Sequence, residues 1–313
     1  MSSTVPCIGR PSHPIVGLSG KRNRQGAWRE EIGTSMAEIL SVMKWPLVAC
    51  LLLPGILVYY GLHIIRREVI FVDLALAQVA TLGTCVCLYL GHEPDDPHNY
   101  YWSLGFTLVG AAVFTFTRPT KHARVPQEAL IGIIYVVAAA AGILLLSKSP
   151  HGKEELQRTL VGDLLTVKSE DIWKTAGLYA LIGVVHFIFR KQFIRLSFDH
   201  EHAAQSGLSV YFWDFLFYAL FGLIVTSFVQ VGGVLMVFSY LIVPAACGTY
   251  LAGSLPMRLL VGWLVATLAS MVGLYASFRL DVPTGAAIVC VLGLALLIAG
   301  VTSRLRRREA KAS

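Results

Sequence analysis

Nine stretches of about 20 mostly apolar residues, set apart by short charged segments, constrain this chain more than anything else in it. A run of that length matches the hydrocarbon thickness of a bilayer. Lipid offers no water to backbone N–H and C=O groups, so a spanning segment must satisfy them internally, as a helix or a closed barrel. Continuous apolar runs of this length, without strict alternation, select helices. Of the 313 residues 55% are hydrophobic and only 14% charged, against about 25% charged in a soluble domain. The expected fold is therefore all-α, a polytopic integral membrane bundle. Helices are expected at roughly 46–65, 69–91, 100–117, 128–148, 174–193, 212–230, 232–253, 258–277 and 284–303. Residues 228–233 leave room only for a very tight turn; a fused or re-entrant segment there would make the count eight rather than nine.

The formal net charge is +7, which in a soluble chain would raise nucleic acid as a partner. Here the basic residues sit at helix ends: Arg66 and Arg67; Arg118, Lys121 and Arg124; Arg190, Lys191 and Arg195; and the run from Arg304 to Arg308. That distribution is the positive-inside pattern of a membrane protein, so no nucleic-acid partner is expected. It places the loops at 66–68, 118–125 and 190–211 and the C-terminus in the cytoplasm, and the loops at 92–99 and 149–173 outside. Residues 1–35 are Gly/Ser/Pro-rich and basic, without the apolar core of a signal peptide. They read as a disordered extension, or as sequence upstream of a true start at Met36. Residues 36–303 form the transmembrane domain and 304–313 a basic cytoplasmic tail. The six cysteines show no C-x-x-C spacing and read as small apolar residues.

The chain carries no phosphate-binding loop, no zinc-protease helix and no nucleophile elbow. No catalytic residue and no permanently bound cofactor are expected. Ionisable groups at membrane depth are costly and mark function by default. Asp73 and Glu128 open the second and fourth helices, where either carboxylate can instead serve the helix dipole. Gln78 lies deeper, flanked by apolar residues, with an interhelical hydrogen bond as its plain role. His92 and His98 flank an acidic outer loop that is either simply solvated or able to hold a divalent cation transiently. His186 reads as a packed residue. In Asp199-His200-Glu201-His202 the two histidines would project about 200° apart on a helix, too far to share an ion. A short amphipathic cytoplasmic helix, open to a soluble partner, is the better reading.

These residues resemble the permease family of metal-ion ABC importers, which handle zinc, manganese and iron; the similarity runs from about residue 46 to 300. Phe198-Asp199-x-Glu201-x-Ala203-x-x-x-Gly207 looks like that family's cytoplasmic coupling segment. Val231-Gly232-Gly233 leading to Pro244 is similar to its central glycine-then-proline helix, and Ser277 to Gly285 to its last outer connection. Arg66-Arg67 with Phe71, and Ile131-Gly132 with Ser147, also fall where the family has them. The resemblance implies eight to nine transmembrane helices with a short cytoplasmic coupling helix. It also implies import of a divalent metal across a prokaryotic plasma (inner) membrane, with ATP used only by a partner ABC ATPase subunit. An extracytoplasmic solute-binding protein and a homodimer of permeases complete the expected assembly. Asp199, Glu201, Ala203, Gly207 and Asp214 would serve ATPase coupling. Asp73, Gln78 and Glu128 would line the pathway, with Asp73 and Glu128 as metal ligands. The family's second-helix Asp and His are replaced here by Leu74 and Gln78, and Asp73 is rotated about 100° from the usual position. A proton-coupled secondary carrier and a non-transporting membrane scaffold are the alternatives.

Overall fold

A computed structural model describes residues 24–93, 96–117, 125–147, 159–162, 164–198 and 209–312. The chain divides into two compact units, Met1–Met43 and Lys44–Ser313; the described part of the first, residues 24–43, is helical. Among the described residues there is no strand. The helices are α1 (Arg24–Arg67), α2 (Val72–Tyr89), α3 (His98–Phe116), α4 (Gln127–Leu146), α5 (Ser169–Ile188), α6 (Arg190–Phe198), α7 (Val210–Leu251), α8 (Leu255–Leu280) and α9 (Thr284–Ala312). Proline sets several starts: Pro126 precedes α4 in extended conformation, Pro256 lies in the first turn of α8, and Pro283 precedes α9. A proline there lacks only an N–H that the helix would leave unbonded anyway.

Within the second unit α7 is the hub, packed on α2, α3, α8 and α9, while α2 also lies against α3 and α4. In its most apolar window α7 is 72% buried, against 22% for α4 and 28% for α9. The outer helices turn bare apolar faces outward: Ile133, Val136, Val137 and Leu144 on α4, and Leu294, Leu297, Ile298 and Val301 on α9. Contiguous apolar surface of this extent is unstable in water and is what a bilayer covers.

Seven helices among the described residues are long and apolar enough to cross a membrane, fewer than the eight or nine expected. Two features account for the difference. α3 is absent from the seven, since its first turn, His98-Asn99-Tyr100-Tyr101, is polar. α7, with 42 residues, counts once although its backbone is non-helical at Gly233, φ 74° and ψ 167°. The rings of Phe228 and Tyr240 lie 5.5 Å apart, whereas twelve residues of straight helix would separate their Cα atoms by about 18 Å. Residues 210–232 and 234–251 are therefore two helices folded back at Gly233. The fifth helix also ends earlier than expected, at Ile188 rather than near 193, because the chain breaks at Phe189 and α6 begins.

The helix ends sort into two sets. At one end Arg67 bonds Ser197 and Asp214, and His186 bonds Tyr60, one helical turn before Arg67's neighbour His63. At the other, Gly162 touches Gly232 and Gly233, and Gly285 touches Val161. A Cβ on Gly233 would need a left-handed backbone and would press on the backbone of Val161 and Gly162. Gly233→Ala is expected to cost about 1–3 kcal/mol for the backbone conformation alone, and more for the contact. Thermal unfolding of the purified protein should show a clear drop for this variant. Gly55→Ala should leave the midpoint nearly unchanged, since a Cβ at Gly55 meets nothing within 4 Å.

Candidate functional site

Arg67 closes α1 with a basic side chain at a helix C-terminus, favoured there by the dipole. Instead of reaching for solvent it turns inward. Its Nε donates to Ser197 Oγ at 2.8 Å and its Nη1 to Asp214 Oδ1 at 2.8 Å. The guanidinium carbon lies 3.8 Å from the centre of the Phe217 ring. The Arg67 and Asp214 side chains are 7% and 2% exposed, so this is a buried ion pair. Two donors of one rigid, planar guanidinium are thus committed to partners on two different helices, in a fixed fork that a flexible, point-like ammonium does not reproduce. Ser197 lies at the end of α6 and Asp214 in the first turns of α7. Between them run residues 199–208, so one side chain of α1 holds both flanks of that segment.

A second layer supports the first. His63 Nδ1 shares a hydrogen bond with Ser197 Oγ at 2.9 Å. His186 of α5 is bonded at Nε2 to the Tyr60 hydroxyl, 2.6 Å, and at Nδ1 to that of Tyr59, 3.1 Å. Its ring stacks on Phe193 of α6 with centroids 4.0 Å apart. α1, α5, α6 and α7 are therefore joined by polar contacts where each helix begins or ends. His186 is packed, as expected, but as the centre of a network rather than as filler.

The pathway candidates lie on α2 and α4. Asp73 is fully buried in the first turn of α2. Its own N–H and that of Leu74 are the nearest donors, yet neither carboxylate oxygen has a hydrogen bond of good geometry. A carboxylate serving only as a helix-terminal cap would be bonded to those groups. Glu128, in the first turn of α4, accepts the Phe71 N–H at 3.2 Å and is near enough for its charge to act on Asp73. The fold thus brings the start of α2 and the start of α4 together. Gln78 is also buried, on α2, about 140° around the helix from Asp73.

At the far end of α2, His92 Nδ1 lies 3.2 Å from Asp96 Oδ2, and His98 Nδ1 lies 2.6 Å from Asp96 Oδ1. The His98 backbone N–H also donates to Asp96 Oδ1 at 2.9 Å. That N–H and the His98 imidazole hold the Asp96 carboxyl down to about 2, well below the usual carboxylate range. It therefore stays ionised at any pH the protein meets.

Asp199, Glu201, Ala203 and Gly207 lie outside the described residues. Asp214 is described, and its side chain is turned into the bundle toward Arg67 rather than offered at the surface. Sequence reasoning placed Arg67 among the topology-setting charges and the residues that carry the family resemblance, and gave it no partner. Its pairing with Asp214 spans 147 positions, and no local spacing signals it.

A model of the ABC 3 transport family matches residues 40–303. The manganese transport system membrane protein MntC of Listeria innocua is 30% identical over 212 residues, 66% of this chain and 75% of that protein. A probable iron transport system membrane protein of Haemophilus influenzae is 28% identical over 176 residues, 56% of this chain and 62% of that protein. Among solved structures, PsaBC from Streptococcus pneumoniae in complex with Fab superposes with a TM-score of 0.71 at 24% identity, covering 85% of this chain and 94% of that one. That likeness shows a shared fold.

Proposed function

The chain belongs to the ABC 3 transport family, and on that premise we propose that it is the membrane-spanning permease subunit of an ATP-binding-cassette importer for a divalent metal ion (zinc, manganese or iron), energised by a separate ATPase subunit. The observation that carries this reading is the grip of Arg67 on Ser197 and Asp214. An ATPase docked on residues 199–208 would meet Asp199 and Glu201 as polar contacts, with Ala203 and Gly207 allowing close approach. Any displacement of that segment pulls on both of its flanks, and both are fastened to α1. Gly61 of α1 in turn packs against the backbone of Leu241, so motion of α1 enters the second half of α7 and the centre of the bundle. Small shifts become discrete rearrangements in such tightly packed interiors.

Asp73 and Glu128 are the ligands we assign to the passing ion, with Gln78 lining the pathway on another face of α2. An imidazole-free, all-oxygen set favours a hard ion such as manganese over zinc. The relatives named above, one for manganese and one for iron, support a metal as cargo. The cargo would arrive from an extracytoplasmic solute-binding protein at the end that carries His92 and His98. Two copies of the chain would face one another in a prokaryotic plasma membrane, each with its C-terminus in the cytoplasm.

Vesicles holding this chain with its ATPase, supplied with the binding protein, should accumulate manganese when ATP is present and iron or zinc more slowly. Hydrolysis of ATP without accumulation of any of the three would sink the metal assignment. The unbonded carboxyl of Asp73 also suits a proton-coupled carrier working alone. That alternative requires uptake driven by a proton gradient in vesicles prepared without the ATPase.

A further inference from the structure

Away from Asp73 and Glu128, two imidazoles and a carboxylate converge where the chain turns from α2 into α3. One potential ligand atom from each of His92, Asp96 and His98 lies within 4.8 Å of the other two. The histidine rings are nearly parallel, 22° apart with centroids at 5.1 Å, and both present Nδ1 to the same carboxylate. We propose that His92, Asp96 and His98 form a second divalent transition-metal site, on the rim of the bundle and separate from the pathway carboxylates.

A simpler role for Asp96 is to cap α3, but that role needs only Oδ1 on the His98 backbone N–H. It does not explain why Oδ2 faces an imidazole from the other side of the turn, nor why the two rings are stacked. The turn itself is held in place. The buried Asn99 donates from Nδ2 to the Glu93 carbonyl at 2.7 Å, and its backbone N–H reaches the Asp96 carbonyl at 3.0 Å. The three ligands are thus positioned before any ion arrives, which lowers the ordering cost of binding. The side chains remain open to solvent, 36% exposed at His92, 26% at Asp96 and 64% at His98. An ion bound there would keep positions free for water or for a donor from another molecule.

The chemistry of the two sites differs. Two imidazoles and one carboxylate suit zinc, cobalt or iron(II), and the ordering of divalent ions places zinc well above manganese on such a set. Asp73 lies about 24 Å along α2 from its last residue, Tyr89, and His92 lies beyond that end, so the sites cannot share an ion. Ion binding by the rim site does not rest on the proposed transport function.

The test uses the purified full-length chain in detergent, without ATPase, titrated with cobalt(II) and followed by its visible absorption bands. One cobalt per chain should give a ligand-field spectrum that added zinc abolishes and added manganese does not. His92→Ala with His98→Ala should raise the half-saturating cobalt concentration at least tenfold, while Asp73→Asn with Glu128→Gln leaves it unchanged. The single variant His98→Gln, which keeps a polar side chain at the start of α3, should weaken binding in a chain with wild-type thermal unfolding. Unchanged cobalt affinity and spectrum in the double-histidine variant would overturn the proposal, as would loss of the spectrum only when Asp73 and Glu128 are replaced. Since no ATPase is present, failure of ATP-driven uptake leaves this result standing, and the converse holds too.

Discussion

Arg67→Ala is expected to destabilise the protein by about 3–5 kcal/mol, because it strips the cation from a carboxylate that is only 2% exposed. The variant should also lose ATP-driven uptake, as Ser197 and Asp214 are no longer fastened to α1. Instability and lost coupling must be told apart, and two further variants do so. Arg67→Lys keeps the charge but offers a single ammonium, so it should hold one flank and not both. It is expected to retain most of the stability and lose most of the uptake. Arg67→Met combined with Asp214→Leu removes both charges at similar volume, a change that is commonly neutral or stabilising for a buried pair. Its thermal unfolding should return to near wild type while uptake stays at the level of Arg67→Ala. Full uptake in this double variant would show that the ion pair is structural only, and the coupling role would fall.

Asp73→Leu should separate function from stability in the opposite direction. The Asp73 carboxyl is fully buried with no well-formed hydrogen bond, so the folded protein gains little from it. Removing a buried, unsatisfied polar group relieves a desolvation cost of about 1–3 kcal/mol. Thermal stability should therefore hold or rise, with metal uptake reduced at least tenfold. Asp73→Asn, nearly isosteric, should lose uptake to a similar extent, since a neutral amide is a far poorer ligand for a divalent ion. A marked fall in the unfolding midpoint of Asp73→Leu, with uptake preserved, would mean that the carboxyl serves the fold and not the pathway. Glu128→Gln provides the comparison: its carboxylate accepts the Phe71 N–H, which the amide oxygen can still do, so only the charge is removed.

The bilayer-spanning character of this protein was fully legible in its sequence. Twenty apolar residues in a row have one low-energy state in lipid, and that state is a helix. The starts expected at 128 and 284 fall within a residue of Gln127 and Thr284, each just after a proline, whereas α8 begins at Leu255, three residues before the expected 258. The tight turn near residue 233 was visible as a pair of glycines, but not its meaning. Only contact with Gly162 and the close approach of the Phe228 and Tyr240 rings identify it as a reversal within one continuous run of helical residues.

The functional candidates divide along the same line. Asp73, Gln78 and Glu128 stood out because charge and polarity at membrane depth are rare, a property that each residue carries alone. That Asp73 lacks a well-formed hydrogen bond and that Glu128 is turned toward the start of α2 are facts of packing between helices 57 residues apart in sequence. The histidines at 92 and 98 were noticeable, and the turn alone decided that both rings face Asp96.

Arg67 marks the boundary most clearly. By itself the sequence determined that this residue ends a spanning helix on the side rich in positive charge, because hydropathy and charge asymmetry act within a single segment. Only the tertiary structure decided that its guanidinium turns inward to Ser197 and Asp214. A contact across 130 or 147 residues depends on how helices pack, and packing is set by the shape of the whole core rather than by any local spacing.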